Sequence, residues 1–163
     1  MPLFRSRMPS PIGELTLVAS EDGLVAVLWE NDDPRRVPLA DPVDDADNPI
    51  LVQANAQLCE YFGGERSRFD LPLDFRGTDF QKSVWHALLT IPFGETRSYR
   101  QIAEAVGRPT ASRAVGAANG RNPISIIAPC HRVVGTSGAL TGFAGGLEAK
   151  AFLLTLEGPR LLL

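Results

Sequence analysis

Strand-like alternation of apolar and polar residues occupies much of the first half of the chain. It runs over 12–19 and again over 24–29, and the turn residues Glu21-Asp22-Gly23 between them complete the pattern of a β-hairpin. Residues 69–75 alternate in the same way and predict a further strand. The following Arg76-Gly77-Thr78 is typical of a domain boundary.

A helix is predicted between these strand segments. Pro49 suits its first turn, Gly63-Gly64 ends it, and one apolar face combines positions 51, 54, 58 and 61. Cys59 lies beside that face, and we expect it to be inert and partly buried. Residues 31–48 are acidic, contain three prolines and show no apolar period, so they predict a surface loop.

Helical signals dominate the second half. Thr78 is a candidate N-cap for a helix that Pro92 terminates. Residues 147–156 predict another helix, near the end of the sequence. Ser98 followed by Gln101 forms a capping box for a short helix that ends at Gly107.

A second short helix follows, with Thr110 as its predicted cap and Gly120 as its end. The pair is a helix-turn-helix candidate, although such hairpins also occur in domains that never contact DNA. Small residues surround Arg113 on the second helix, which would allow close approach to a DNA groove or, equally, tight helix packing.

The apolar run 124–128 predicts a buried strand, and Pro129 stops its pairing just before Cys130. His131 and Arg132 follow, and positive charge beside a thiol lowers its pKa and makes it reactive. The alternative is that Cys130 is simply a small buried side chain, which is the commoner case for a lone Cys-His pair.

Charge is divided unevenly along the chain, whose net charge is -3. Residues 1–78 carry seven arginines against fourteen acidic residues, a net charge of -7, whereas 79–163 carry nine cations against five acids, or +4. This asymmetry points either to nucleic acid contacted by the second half or to a solvated face without a partner.

Composition restricts the classes of protein to which this chain could belong. The 163 residues are 44% hydrophobic, enough for one domain or two small ones, and no apolar run is long enough for a membrane span. Two cysteines form no disulfide framework and fit a reducing compartment, so we expect a cytoplasmic protein without a membrane partner. Two cysteines and two histidines without Cys-x-x-Cys spacing also make a poor zinc set, and we expect no metal.

Several spaced motifs carry a family resemblance. The Pro-Cys-His-Arg-Val motif at 129–133 resembles the active-site signature of the O6-alkylguanine-DNA alkyltransferases, which transfer an alkyl group from damaged guanine to their own cysteine. Further matches are Gly-Glu-Thr-Arg-Ser-Tyr at 94–99, Ser-Arg-Ala-Val-Gly at 112–116, Asn-Pro at 122–123 and Leu-Glu-Gly at 156–158. The first half is similar more loosely, mainly through Ser-Pro-Ile-Gly at 10–13.

The resemblance implies an α/β N-terminal domain with a ribonuclease H-like sheet over 1–77. A mostly α, winged-helix-like domain with a helix-turn-helix would follow over 78–163. It implies a monomer with double-stranded DNA containing alkylated guanine as its partner and no cofactor, and it leaves open whether DNA is bound cooperatively.

The resemblance also assigns residues. A relay of Cys130, a water, His131 and Glu157 activates the thiol, Tyr99 protonates the leaving guanine, and Asn122 ties the helix-turn-helix to the cysteine loop. Arg113 fills the space of the extruded base, while other positions contact DNA from the second helix and from beside the cysteine: Ala111, Ser112, Ala114, Gly116, Ala117 and Arg132. The substrate pocket is assigned to Val133, Phe143, Ala144 and Gly145.

The sequence departs from the family pattern at two positions, and two other functions remain open. The family commonly has tyrosine at the position of Phe143 and often serine at that of Ala144, so the range of alkyl groups is open, as is the use of O4-alkylthymine. The chain could instead be a non-catalytic binder of alkylated DNA, against which Cys130 argues. A Cys-His hydrolase would need a regenerated thiol and an oxyanion hole.

Overall fold

The computed structural model describes residues 2–138 and 142–158, and these form two compact units. The first runs to Gly77 and also includes Pro123–Ile127. The second comprises Thr78–Asn122 and the described residues from Ala128 onward. The chain therefore passes between the units three times.

A four-stranded sheet forms the centre of the first unit. Its strands are β1 (Phe4–Met8), β2 (Leu15–Ala19), β3 (Leu24–Leu28) and β4 (Val43–Asp44), in the order β3-β2-β1-β4. The predicted hairpin is confirmed as the antiparallel pair β2 and β3. Both strands are almost entirely buried, which explains their near-continuous apolar sequence.

Helix α1 (Pro49–Phe62) was predicted correctly. The Asn48 side chain accepts hydrogen bonds from the backbone amides of Ile50 and Leu51 and so caps the first turn. The predicted apolar face is buried and consists of Leu51, Ala54, Leu58 and Tyr61. Cys59 is exposed, however, and the expectation that it is partly buried was wrong.

Sequence patterns missed two strands of this sheet. β1 was not predicted, because its alternating arginines and serine leave too few apolar residues for a clear signal. β4 lies inside the acidic segment expected to be a loop and pairs parallel with β1. Its two residues are held by pairing to a neighbouring strand, which local composition does not report.

The strand predicted over 69–75 is absent from the described structure apart from one bridge, at Leu73. The backbone of Leu24 donates to the oxygen of Pro72 at 2.8 Å and accepts from the amide of Asp74 at 2.8 Å. Proline has no amide hydrogen, so regular pairing cannot continue through this segment.

The strand predicted over 124–128 was also wrong. Only Ile124 forms a bridge, with Val27, and the amide of Val27 donates to the oxygen of Pro123 at 2.9 Å. The chain then turns through Ile126, whose φ of 73° lies in the left-handed region. A β-branched residue adopts that conformation only when its surroundings impose it. The apolar run is therefore a buried turn.

Helices form most of the second unit: α2 (Asp79–Leu88), α3 (Tyr99–Ala105), α4 (Ser112–Gly120) and α5 (Leu147–Glu157). The capping box predicted from Ser98 and Gln101, and the cap at Thr78, are confirmed. Thr110 does not cap α4; the N-cap is Ala111, which makes no side-chain hydrogen bond.

Two contacts organise this unit. The Trp85 indole on α2 donates to the carbonyl oxygen of Ala118 at 2.8 Å, which fixes α4 against α2. The two-residue strands β5 (Arg97–Ser98) and β6 (Val133–Val134) pair in parallel. Because α3 begins directly after β5, this pairing positions Tyr99 near the residues that follow Cys130.

Over the described ranges 2–138 and 142–158, every helix is too short or too polar to cross a membrane.

Candidate active site

Cys130 begins a short 3-10 helix, Cys130–Arg132, immediately after Pro129. Its amide donates to the oxygen of Ala128 at 2.7 Å, and only 4% of the residue is exposed. The predicted strand end is thus replaced by a tight turn. This turn places Cys130 and His131 in the interior of the second unit.

His131 is fully buried, and its Nε2 lies 2.7 Å from Oε2 of Glu157. Burial lowers the pKa of His131 and the hydrogen bond to Glu157 opposes that effect, so the ring is neutral at neutral pH. A neutral ring that donates through Nε2 has Nδ1 as its acceptor. Nδ1 is buried and has no partner among the described residues, which leaves it available to accept a proton.

Glu157 ends α5 and is 2% exposed. Burial alone would raise its pKa, but hydrogen bonds and charge from His131 and Arg132 outweigh burial and hold the pKa at about 2. The carboxylate is therefore ionised at neutral pH. It fixes the orientation of the His131 ring and would stabilise an imidazolium.

Arg132 has a different role from the one predicted. It was assigned to DNA, but it is only 6% exposed, and its Nε and Nη2 donate to the two oxygens of Glu157 at 2.7 and 3.0 Å. Its Nη1 donates to the oxygen of Ile91 at 2.6 Å. The predicted DNA contact is corrected on this ground: the guanidinium is used inside the protein, where it supports Glu157.

Two asparagines hold the turn around Cys130. The Nδ2 of Asn122 donates to the oxygen of Ala128 at 2.8 Å, which agrees with its predicted role as an organiser. The Nδ2 of Asn119 lies 3.4 Å from the oxygen of Cys130 itself. Sequence reasoning missed Asn119, because a polar residue near the end of a short helix gives no signal of burial.

Lys150 was also missed. It is completely buried on α5, and its Nζ donates to the oxygen of Val133 at 2.7 Å and lies 5.8 Å from the centre of the Phe143 ring. Burial lowers the pKa of Lys150, and its electrostatic interaction with Cys130 opposes this. A signal was present in the sequence: positions 150, 153 and 157 share one helix face, which is otherwise a core face.

Most of the predicted DNA-contacting residues lie on the accessible side of α4. Arg113, Ala114 and Ala117 are exposed, and Ala111, Ser112 and Gly116 are half-buried. An open depression of about 420 Å³ brings several of them together with Tyr99; its lining is Tyr99, Arg100, Ser112, Arg113, Gly116, Gly135 and Thr136. The Tyr99 ring lies close enough to Gly116 that an added Cβ would be 3.8 Å away.

The predicted pocket residues are partly described. Val133 is buried, Phe143 and Gly145 are half-buried, and Ala144 is exposed. Thr141, two residues before Phe143, lies outside the described residues. Lys150 connects two of the pocket positions, because it contacts both the Val133 carbonyl and the Phe143 ring.

This arrangement suits nucleophilic attack by sulfur. A buried thiol is followed by a histidine whose free acceptor nitrogen can take the thiol proton, and a carboxylate orients that histidine. In the described part of the chain, no group of three or more His, Cys, Asp or Glu side chains could hold a metal ion.

Both halves of the chain match known family models. Residues 3–75 match the ribonuclease-like domain of 6-O-methylguanine DNA methyltransferase, and 79–159 match its DNA-binding domain. A methylated-DNA--protein-cysteine methyltransferase of Mycobacterium bovis is 52% identical over 153 residues, covering 93% of this chain and 90% of that protein. One from Methanosarcina acetivorans is 50% identical over 156 residues, covering 96% and 99%.

A solved structure agrees with these matches. The crystal structure of Mycobacterium tuberculosis OGT in complex with DNA superposes with a TM-score of 0.85 at 48% identity, covering 98% of this chain and 96% of that one. The two-domain architecture expected from the sequence, a ribonuclease-like domain followed by a helical DNA-binding domain, is thereby confirmed. The chain belongs to the 6-O-methylguanine DNA methyltransferase family.

Proposed function

We propose that this protein repairs DNA by moving the alkyl group of an O6-alkylated guanine onto the sulfur of Cys130. The observation that carries the proposal is the buried series of Cys130, His131 and Glu157, with Nδ1 of His131 open to a proton and Nε2 bonded to the carboxylate. The names of the relatives, which are methylated-DNA--protein-cysteine methyltransferases, support it.

The chemistry balances within the protein and its substrate. His131 takes the thiol proton, directly or through a water, and Glu157 stabilises the resulting imidazolium. The thiolate attacks the alkyl carbon, a carbon–sulfur bond forms, and the bond from that carbon to O6 breaks. The electron pair passes into the guanine, and Tyr99 supplies the proton that the leaving base needs. A thioether has no easy route back to thiol, so each molecule reacts once.

The substrate base must leave the double helix before its O6 substituent can meet Cys130. Extrusion costs a few kcal/mol, and less for a poorly paired damaged base. We assign α4 to the DNA groove, because its accessible side carries small residues and one long cation, Arg113, which would occupy the vacated space.

Both cysteines lack a disulfide, which suits a reducing compartment, and we propose the cytoplasm.

One experiment tests the reaction. The protein is incubated with excess duplex DNA that contains a single O6-methylguanine, and modified peptides are mapped by mass spectrometry. We expect one methyl per protein, located on Cys130. The exposed Cys59 is an internal control, because label there would indicate unspecific alkylation. Repeated turnover would contradict the irreversible step and favour a hydrolase.

A further inference from the structure

Helix α5 brings two buried charges of opposite sign to the turn at Cys130–Arg132. Its last residue, Glu157, accepts a hydrogen bond from Arg132 and lies 2.7 Å from Nε2 of His131. About two helical turns earlier, on the same buried face, lies Lys150. Lys150 is completely buried, and an ammonium is rarely buried without an anion near it. Its position therefore requires an electrostatic explanation.

The charges buried in the described part of the chain do not sum to zero. The fully charged side chains among them are Arg132, Lys150 and Glu157, which are two cations and one carboxylate. Burial lowers the pKa of His131, and the hydrogen bond from Glu157 opposes this. The charges of Arg132 and Lys150 lower that pKa further, so a lasting imidazolium is disfavoured. The buried charges therefore leave one positive charge in excess.

The ammonium of Lys150 lies beside the backbone turn that carries the sulfur. Its Nζ donates to the oxygen of Val133 at 2.7 Å, and the amide of Val133 donates to the oxygen of Cys130. This bond closes a single 3-10 turn, which rises only about 2 Å per residue. Burial lowers the pKa of Lys150, and the electrostatic interaction with Cys130 raises it. A neighbouring charge raises the pKa of an amine when it is negative, as a thiolate is.

We infer that Lys150 is the counter-ion of a Cys130 thiolate that exists before the damaged base arrives, and that Lys150 is thus a positioning residue for alkyl transfer. The inference deepens the proposed function and rests on it, since the thiolate is the nucleophile of that reaction. The S–H bond breaks and its electron pair stays on sulfur. The proton leaves through Nδ1 of His131 to solvent, so the ring returns to its neutral form. The buried charges then sum to zero.

Thermodynamic coupling gives a test that leaves Lys150 in place. If the thiolate raises the pKa of the amine, the amine lowers the pKa of the thiol by the same amount. The chain has two lysines, so isotope labelling of lysine gives two side-chain signals in NMR spectra, with Lys82 on α2 as the internal reference. Cys130→Ser removes the thiolate. We expect the pKa of Lys150 to be lower in this variant, with the difference between the two proteins confined to the Lys150 signal.

Ionisation of Cys130 is followed by the ultraviolet absorbance of its thiolate, as the difference between each protein and its Cys130→Ser counterpart. In the unchanged protein we expect a midpoint well below about 8.5, the pKa of a free thiol. Lys150→Met keeps a side chain of similar length without the charge. It should raise the midpoint by about one to three pH units, as the loss of a nearby opposite charge would. Lys82→Met is the matched control and should leave the midpoint where it is.

The pH dependence of transfer separates charge from structure. At one pH unit below its own midpoint, Lys150→Met should transfer methyl from duplex O6-methylguanine about tenfold more slowly than the unchanged protein. Its rate should approach the unchanged rate as the pH rises past that midpoint. Tyr99 and His131 are the same in both proteins and cannot produce this difference. Equal slowing at every pH, with the midpoint unmoved, would show a purely structural role and overturn the inference.

The two proposals fail in different ways. If Lys150→Met does not fold, as judged by circular dichroism, Lys150→Gln and the lysine signals of Cys130→Ser decide instead. If the unchanged protein does not methylate Cys130, the proposed function fails, whatever the midpoints show. If it does so but Cys130 ionises like a free thiol, or the Lys150 signal is the same in Cys130→Ser, alkyl transfer stands and the role of Lys150 is lost.

Discussion

Replacing Glu157 by glutamine should remove the charge that supports both His131 and Arg132. The side chain is 1% exposed, and its oxygens accept from the Nε of Arg132 at 2.7 Å and from its Nη2 at 3.0 Å. In Glu157→Gln the guanidinium stays buried without a counter-charge. Breaking one partner of such a buried pair is strongly destabilising.

The pKa of Glu157 gives the magnitude. It is lowered from 4.5 to about 2, and a difference of this size corresponds to about 3 kcal/mol at about 1.4 kcal/mol per unit. Because the unfolded chain binds the proton more tightly, this stability is fully present above pH 4.5 and is lost as the pH falls towards 2. Glu157→Gln should lack the contribution at every pH.

Urea unfolding followed by tryptophan fluorescence measures both effects. Of the two buried tryptophans, Trp85 lies in the second unit with Glu157 and Trp29 lies in the first, so the signal follows both units. We expect Glu157→Gln to lose about 3 kcal/mol at pH 7 and to show a smaller further loss than the unchanged protein between pH 4.5 and 2.5. The control is Glu148→Gln, on the same helix but exposed. A loss below about 1 kcal/mol, or identical pH dependence in the two proteins, would refute this account of Glu157.

Three other changes test the reaction and the DNA contact. Cys130→Ser should abolish methyl transfer yet bind alkylated duplex with nearly unchanged affinity in a gel-shift assay; loss of binding by the folded variant would contradict the separation of the two roles. Arg113→Ala should slow repair of duplex O6-methylguanine by roughly tenfold or more but barely affect free O6-benzylguanine, and Arg113→Lys should rescue only in part. Equal slowing would remove Arg113 from extrusion. Affinity for DNA should fall with salt, with a logarithmic slope on the order of -2 to -4, and a salt-independent affinity would exclude phosphate contacts.

Short sequence motifs correctly predicted the elements that are determined by interactions between neighbouring residues. The N-cap at Thr78 and the capping box at Ser98 fix helix starts within four residues, and both were found where expected. The run 124–128 was misread because apolar β-branched residues report burial but not conformation. The left-handed turn at Ile126 depends on distant contacts, including the hydrogen bond between Val27 and Pro123.

The same difference between short-range and long-range interactions explains which residues of the site were predicted. Cys130, His131 and Glu157 were found because their spacing matched a family motif, and His131 and Glu157 are indeed bonded. Arg132 was assigned to DNA with the family resemblance, whereas its partner in the structure is Glu157, 25 residues away, which no local pattern reports. Asn119 was missed for a related reason: burial of a single polar side chain is decided by packing, which no short pattern contains. Lys150 differs, because its helix face, shared with positions 153 and 157, did carry a signal.

The path of the chain between the two units affects the order in which they can be completed during synthesis. The first unit includes Pro123–Ile127, so it lacks one of its buried segments until the ribosome has passed residue 127. By then α2, α3 and α4 have all been made. N-terminal domains commonly fold first, as soon as they emerge. Here the last contacts of the N-terminal unit form only after those three helices exist, and a nascent chain stopped at Gly77 should remain incompletely folded.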